Sequence, residues 1–135
     1  KTSRYYGIEK EKWKGKNLHI DNRKIIPIMD LSGFNVIDCD PYGIPYTQVK
    51  LLFENKTLQK GTIIIFTCIS GVLNQMDKTE IEDYGLREMY KRTRVLFNRY
   101  ADEMFFSMLK KYGVEKVTMY GMEKQMKKRY GFFTV

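Results

Sequence analysis

The chain has 135 residues, 43% of them hydrophobic and 30% charged, a balance that excludes both a disordered and a fibrous polymer. Its 24 lysines and arginines against 16 acids leave a net charge of +8, which favours polyanionic partners. The longest apolar run, Ile63 to Ile69, falls far short of the roughly 18 residues of a helical membrane span, so no membrane partner is expected.

Two separated cysteines, Cys39 and Cys68, and a single histidine, His19, exclude a Cys/His zinc site, and no metal is expected. Both thiols are expected to be buried in a reducing cytoplasm. A hydrolytic nucleophile would have to recruit His19, whose neighbours Leu18 and Ile20 place it in a strand, so hydrolase chemistry ranks low. The chain opens Lys1-Thr2-Ser3-Arg4, with neither an initiator methionine nor a signal pattern, and reads as a single, N-terminally truncated domain over residues 1–135.

In chain order, Arg4-Tyr5-Tyr6-Gly7-Ile8-Glu9 is an aromatic and β-branched run that predicts a strand ending on a carboxylate. A lysine-rich connection, Lys10 to Lys16, leads to a second short strand, Asn17-Leu18-His19-Ile20, closed by the turn-forming pair Asp21-Asn22. Lys24 to Leu31 contains Pro27 and predicts an edge segment and connection. Phe34 to Asp40 has the pattern of a buried central strand stopped by Pro41. Thr47 is placed to cap a helix through Glu54, and Gly61 starts the strand Thr62 to Ile69. Strand, helix, strand in so short a span is a βαβ unit with parallel strands, hence an α/β sheet.

Asp77 or Thr79 opens a helical region, Thr79 with Glu82 as a capping box. Apolar residues from Leu86 to Leu109 recur at helical spacing with one break, a stripe that reads as core, and Gly113 ends the helix. Val114 to Tyr120 and Arg129 to Val135 predict two strands paired as an antiparallel edge.

In open α/β sheets ligands gather at the carboxyl ends of strands, and here Glu9, Asp21 and Asp40 end strands. A carboxylate such as Glu9 offers two coplanar acceptors to ribose hydroxyls, with Asp21 or Asn22 beside it for an adenine amino group. Taken singly, Glu9 reads as a salt bridge or cap and Asp21-Asn22 as a turn. Asp38-x-Asp40-Pro41-Tyr42-Gly43 reads either as a type I or II turn shaped by Pro41 and Gly43, or as a functional turn over a reacting centre. The order and spacing of the three signals favour function.

Tyr6-Gly7-Ile8-Glu9, then Asp21, then Val36-Ile37-Asp38-Cys39-Asp40-Pro41-Tyr42-Gly43-Ile44-Pro45 resemble successive motifs of the class I, Rossmann-like S-adenosylmethionine-dependent methyltransferases. The last segment is closest to the Asp-Pro-Phe-Gly-Ser-Pro turn of tRNA guanine dimethyltransferases, and is similar to the Asp-Pro-Pro-Tyr turn of amino methyltransferases acting on bases. The resemblance spans residues 4–69 and implies a mostly parallel sheet with an antiparallel C-terminal edge strand, lacking in this chain the first strand and its glycine-rich loop. It implies S-adenosylmethionine as cofactor, held by Glu9, Asp21, Asn22 and Asp38. It also implies catalytic work at Asp40, Pro41, Tyr42 and Gly43, where Asp40 accepts a hydrogen bond from the target amino group and Tyr42 stacks on the base, with Tyr46 as a further wall.

The implied function is methyl transfer to an exocyclic amino group of a nucleic-acid base, RNA before DNA. Lys91, Arg92, Arg94, Arg99, Lys127 and Lys128 are the candidate phosphate contacts, although solvated helix faces give charge runs of the same kind. The alternatives are a cofactor-free nucleic-acid-binding module of the same ancestry, and a methyltransferase for protein or small molecules.

Overall fold

Ile63–Ile69 forms a central strand in the computed structural model, which describes residues 6–9, 18–69, 77–123 and 128–135. In chain order the elements are β1 (Ile8–Glu9), β2 (Leu18–His19), α1 (Asn22–Ile25), β3 (Val36–Cys39), α2 (Tyr46–Glu54), β4 (Ile63–Ile69), α3 (Lys78–Asp83), α4 (Arg87–Arg92), α5 (Arg94–Lys111), β5 (Thr118–Glu123) and β6 (Lys128–Thr134). β1 and β2 form a small parallel pair, and the other four strands form a sheet in the order β3-β4-β6-β5. The architecture is α/β with a mixed sheet.

The βαβ unit is present: β3 and β4 are parallel, with Cys39 opposite Phe66, and α2 crosses between them. The expected mostly parallel sheet is not. β6 lies antiparallel to β4, with Cys68 opposite Arg129 and Ile69 opposite Lys128, and β5 lies antiparallel to β6 at the edge. Two strands joined by so short a connection can pair only as antiparallel neighbours. The last strand therefore sits inside the sheet, where Phe133 and Gly131 are buried, and it is β5 that forms the rim.

Side-chain alternation separates two faces. Ile64, Phe66 and Cys68 of β4 and Phe133 of β6 are buried on one of them. There Phe66 meets Phe105 of α5 edge-on at 5.3 Å, and Phe53 of α2 stacks on Phe133 at 5.8 Å. Removing a ring such as Phe66 or Phe105 from this core costs roughly 3–5 kcal/mol. On the opposite face Val36, Ile63 and Tyr120 remain exposed.

Three local differences from the sequence reading have simple causes. The segment expected as an edge around Pro27 begins with the short helix α1, because Asp21 caps it by accepting a hydrogen bond from the Arg23 backbone N–H at 3.0 Å. Thr47 caps nothing; α2 starts after Pro45, and the Thr47 hydroxyl instead donates to Asp77 at 2.5 Å. Asp77 opens α3 by accepting from the Thr79 N–H, so the Thr79 capping box is not formed. The helical break falls at Thr93, and Gly113, at φ 84°, takes the left-handed conformation that ends α5.

α5 runs opposite to β4. Asp102 forms an ion pair with Arg129, whose strand partner Cys68 lies near the carboxyl end of β4, and one turn on Phe105 meets Phe66 in mid-strand. At the far end Tyr112 stacks on Phe53 at 4.6 Å, beside the end of α2. Arg94 to Ala101 therefore lead away from the carboxyl edge of the sheet, the edge on which Asp40 stands.

Candidate functional site

Asp40 follows the last residue of β3, and its turn is tied to the neighbouring strand by the Ile69 N–H, which donates to the Gly43 carbonyl at 3.0 Å. Gly43 holds φ 98°, a backbone state that a side chain would strain, so its place in the turn is geometric. The Thr67 hydroxyl donates to Asp40 Oδ1 at 2.5 Å, and Lys128 Nζ lies 3.2 Å from the same oxygen. Lys128 also donates to Asp40 Oδ2 at 3.4 Å and lies 5.2 Å from the centre of the Tyr130 ring. Three neighbouring strands thus converge on one carboxylate, whose side chain is still 56% exposed. An ionised carboxylate has about four acceptor positions, so Asp40 keeps capacity for a further donor.

Burial works against the Lys128 charge, but the hydrogen bond and charge of Asp40, with Tyr130, outweigh it and raise its pKa. Lys128 remains a cation. Burial first, then the charge of Asp40, raises the Asp38 pKa, with Lys128 opposing. Two carboxylates therefore share one ammonium, and the turn carries unbalanced negative charge.

The structure brings together Asp38, Asp40, Pro41, Tyr42, Gly43 and Lys128 from among the expected residues. The Tyr42 side chain is fully exposed. Tyr46, expected as a wall, is buried, and its hydroxyl donates to Asp83 at 3.1 Å. Glu9 ends β1, its backbone in register with His19. Asp21 Oδ1 accepts from the Arg23 backbone N–H and from Arg23 Nε, and Oδ2 accepts from Arg23 Nη2 at 2.9 Å, so its carboxylate holds a cap together. Asn22 is the first residue of α1. Lys127 lies outside the described residues. His19 is exposed, and Cys39 and Cys68 are free, buried thiols. Burial raises each thiol to about 12, which leaves neither as a nucleophile near neutral pH. Among the described residues no group of three or more His, Cys, Asp or Glu side chains could hold a metal ion.

Sequence reasoning missed Thr67 and Glu80. Thr67 is the one hydroxyl inside the apolar run of β4, which was a usable signal. Glu80, in the first turn of α3, is fully buried, with the Asp77 backbone N–H beside its carboxylate. Burial, then Asp77 and Asp83, lift its pKa from an ordinary 4.5 to about 8, so at neutral pH it is mainly the uncharged acid.

The cations of α4 and α5 surround a shallow concavity of about 610 Å³ lined by Lys91, Arg92, Arg94, Leu96 and Arg99. Lys91 pairs with Glu88 at 2.8 Å. Arg92, Arg94 and Arg99 have no ion-pair partner among the described residues. No family model, curated protein or solved structure matches the chain.

Proposed function

We propose that the chain is a methyltransferase domain that uses S-adenosylmethionine to methylate an exocyclic amino group of a nucleic-acid base. The observation that carries this reading is the Asp40 carboxylate at the carboxyl end of a parallel strand, oriented by Thr67 and Lys128 and open on its exposed side. The excess negative charge of Asp38 and Asp40 over Lys128 fits a positively charged methyl donor, and Asp38 is the residue beside the turn available to hold it. Asp21 would first have to release Arg23.

When bound, S-adenosylmethionine supplies a methyl group on a cationic sulfur that departs as a neutral thioether. Asp40 accepts an N–H of the substrate amine and so fixes the direction of its lone pair. Lys128 and Thr67 hold the Asp40 carboxylate in place, and the proton released by the amine passes to water. Positioning of this kind supplies most of the barrier reduction when the donor is already reactive. Tyr42, fully exposed, offers its ring to an unstacked base. A cytoplasmic, reducing setting fits the free Cys39 and Cys68.

The second reading, a cofactor-free nucleic-acid-binding module, is favoured by the engagement of Asp40 Oδ1 with both Thr67 and Lys128. Calorimetry with S-adenosylmethionine and S-adenosylhomocysteine, together with radiolabelled methyl transfer to RNA and DNA, separates the two. Asp40→Asn should reduce transfer at least 100-fold with donor affinity changed by no more than a few fold. Equal loss of transfer and donor affinity would make the turn structural. Nucleic-acid binding without donor binding, by this chain and by any longer natural form, would establish the second reading.

A further inference from the structure

The residues of α5 before Asp102 continue beyond the carboxyl edge of the sheet, with α4 packed alongside. Tyr90 of α4 lies 6.3 Å from the Phe97 ring, and its hydroxyl donates to Asn98 at 3.0 Å. Eight residues, Arg94 to Ala101, make an arm about 12 Å long at 1.5 Å per residue. Between Arg87 and Arg99 there are five basic residues and one acidic. On the same arm Tyr100 is 43% exposed. Behind it, Asp102 holds Arg129, the residue after Lys128, and Lys128 reaches Asp40. Two ion pairs, Asp102 with Arg129 and Asp40 with Lys128, thus tie the base of the arm to the Asp40 turn through β6.

We infer that the α4–α5 arm is the docking surface for the single strand that flanks the target base, with Arg92, Arg94 and Arg99 on its phosphates and Tyr100 against a neighbouring base. Two features select this occupant. The cations of the arm without an ion-pair partner among the described residues are arginines, whose planar forks match phosphate oxygens in pairs. The exposed rings of Tyr100 and Tyr42 offer flat faces to bases, and only unstacked bases can use them. The inference rests on the Asp40 reading for the identity of the edge that the strand approaches, and it specifies the route by which the strand reaches that edge.

The test is fluorescence anisotropy with a labelled 20-nucleotide single-stranded RNA over a salt series. The proteins compared are the full chain, the triple variant Arg92→Gln/Arg94→Gln/Arg99→Gln and Tyr100→Ala. The triple variant should lose about 2 from the slope of log affinity against log salt, at about 0.7 per phosphate contact. Tyr100→Ala should weaken binding between 5- and 100-fold. All three altered side chains of the triple variant are exposed, so its thermal midpoint should match the parent's. An unchanged slope overturns the arm, whatever the outcome of the methyl-transfer assay. Equal competition by poly-glutamate or by phosphatidylserine vesicles at matched charge, or equal affinity for the duplex, overturns the single-stranded occupant. Arm-dependent RNA binding without methyl transfer would support the arm and remove the methyltransferase reading.

Discussion

Glu80 should make the protein lose stability as pH rises through neutrality. Its carboxyl is fully buried, and burial together with the charges of Asp77 and Asp83 outweighs the hydrogen bond from the Asp77 backbone N–H and raises its pKa from 4.5 to about 8. The folded form holds the proton more tightly than the unfolded chain, so its contribution is fully present below pH 4.5 and declines as pH climbs towards 8. Each unit of the window is worth about 1.4 kcal/mol, giving a loss of about 3 kcal/mol by pH 7 and about 5 at the top of the window. The charged groups acting on this carboxyl are Asp77 and Asp83. Glu80→Gln keeps the shape and removes the titration. Urea unfolding at pH 5, 6, 7 and 8 measures the difference in stability between the two proteins. That difference should move by about 1.4 kcal/mol per pH unit in favour of the variant as pH rises. Parallel stability profiles for parent and variant would refute the assignment, because a carboxyl that titrates normally contributes no slope in this range.

Two further outcomes follow from packing and hydrogen bonding. Gly131→Ala should destabilise the fold by about 1–3 kcal/mol in the same urea assay, because a Cβ there would stand 2.5 Å from Phe66 Cζ and 2.7 Å from Met119 Sδ. Phe66 is fully buried and cannot swing away, so a neutral result would show that β6 shifts freely against β4. Thr67→Val keeps the buried volume and removes the hydroxyl that orients Asp40. It should cost about 0.5–2 kcal/mol in stability and lower methyl transfer with donor affinity unchanged, and full transfer would exclude an orienting role for Thr67.

The elements that could be read from the sequence are those whose local pattern and tertiary fate agree. The run Ile63 to Ile69 and the break at Thr93 are of this kind, as are the glycine stop at Gly113 and the terminal strand pair. The position of β6 inside the sheet was hidden, because a hairpin reveals that its strands pair and not which of them meets β4. The Asp40 turn was visible because Pro41 and Gly43 punctuate it, and its orienting partners were not. Thr67 and Lys128 lie 27 and 88 residues away in sequence, and only pairing in the sheet brings them to Asp40. Lys128 shows the ambiguity of a lysine-rich stretch, in which the lysine that serves a carboxylate looks like the ones that face solvent. Glu80 was invisible for a related reason: an acid in the first turn of a helix is ordinary, and only packing reveals its complete burial.

The outer side of β3 bears on how copies of the chain behave towards one another. Among the described residues β3 pairs only with β4, and none of these residues pairs with the backbone along its other side. Val36, at the start of this rim, is exposed and would favour such pairing. Asp38, two residues on, opposes it, since stacking two rims would bring like carboxylates together. Its raised pKa means that mild acid removes this repulsion sooner than it would for an ordinary aspartate. One side chain thus sets the charge beside Asp40 and also guards the molecule against rim-to-rim aggregation.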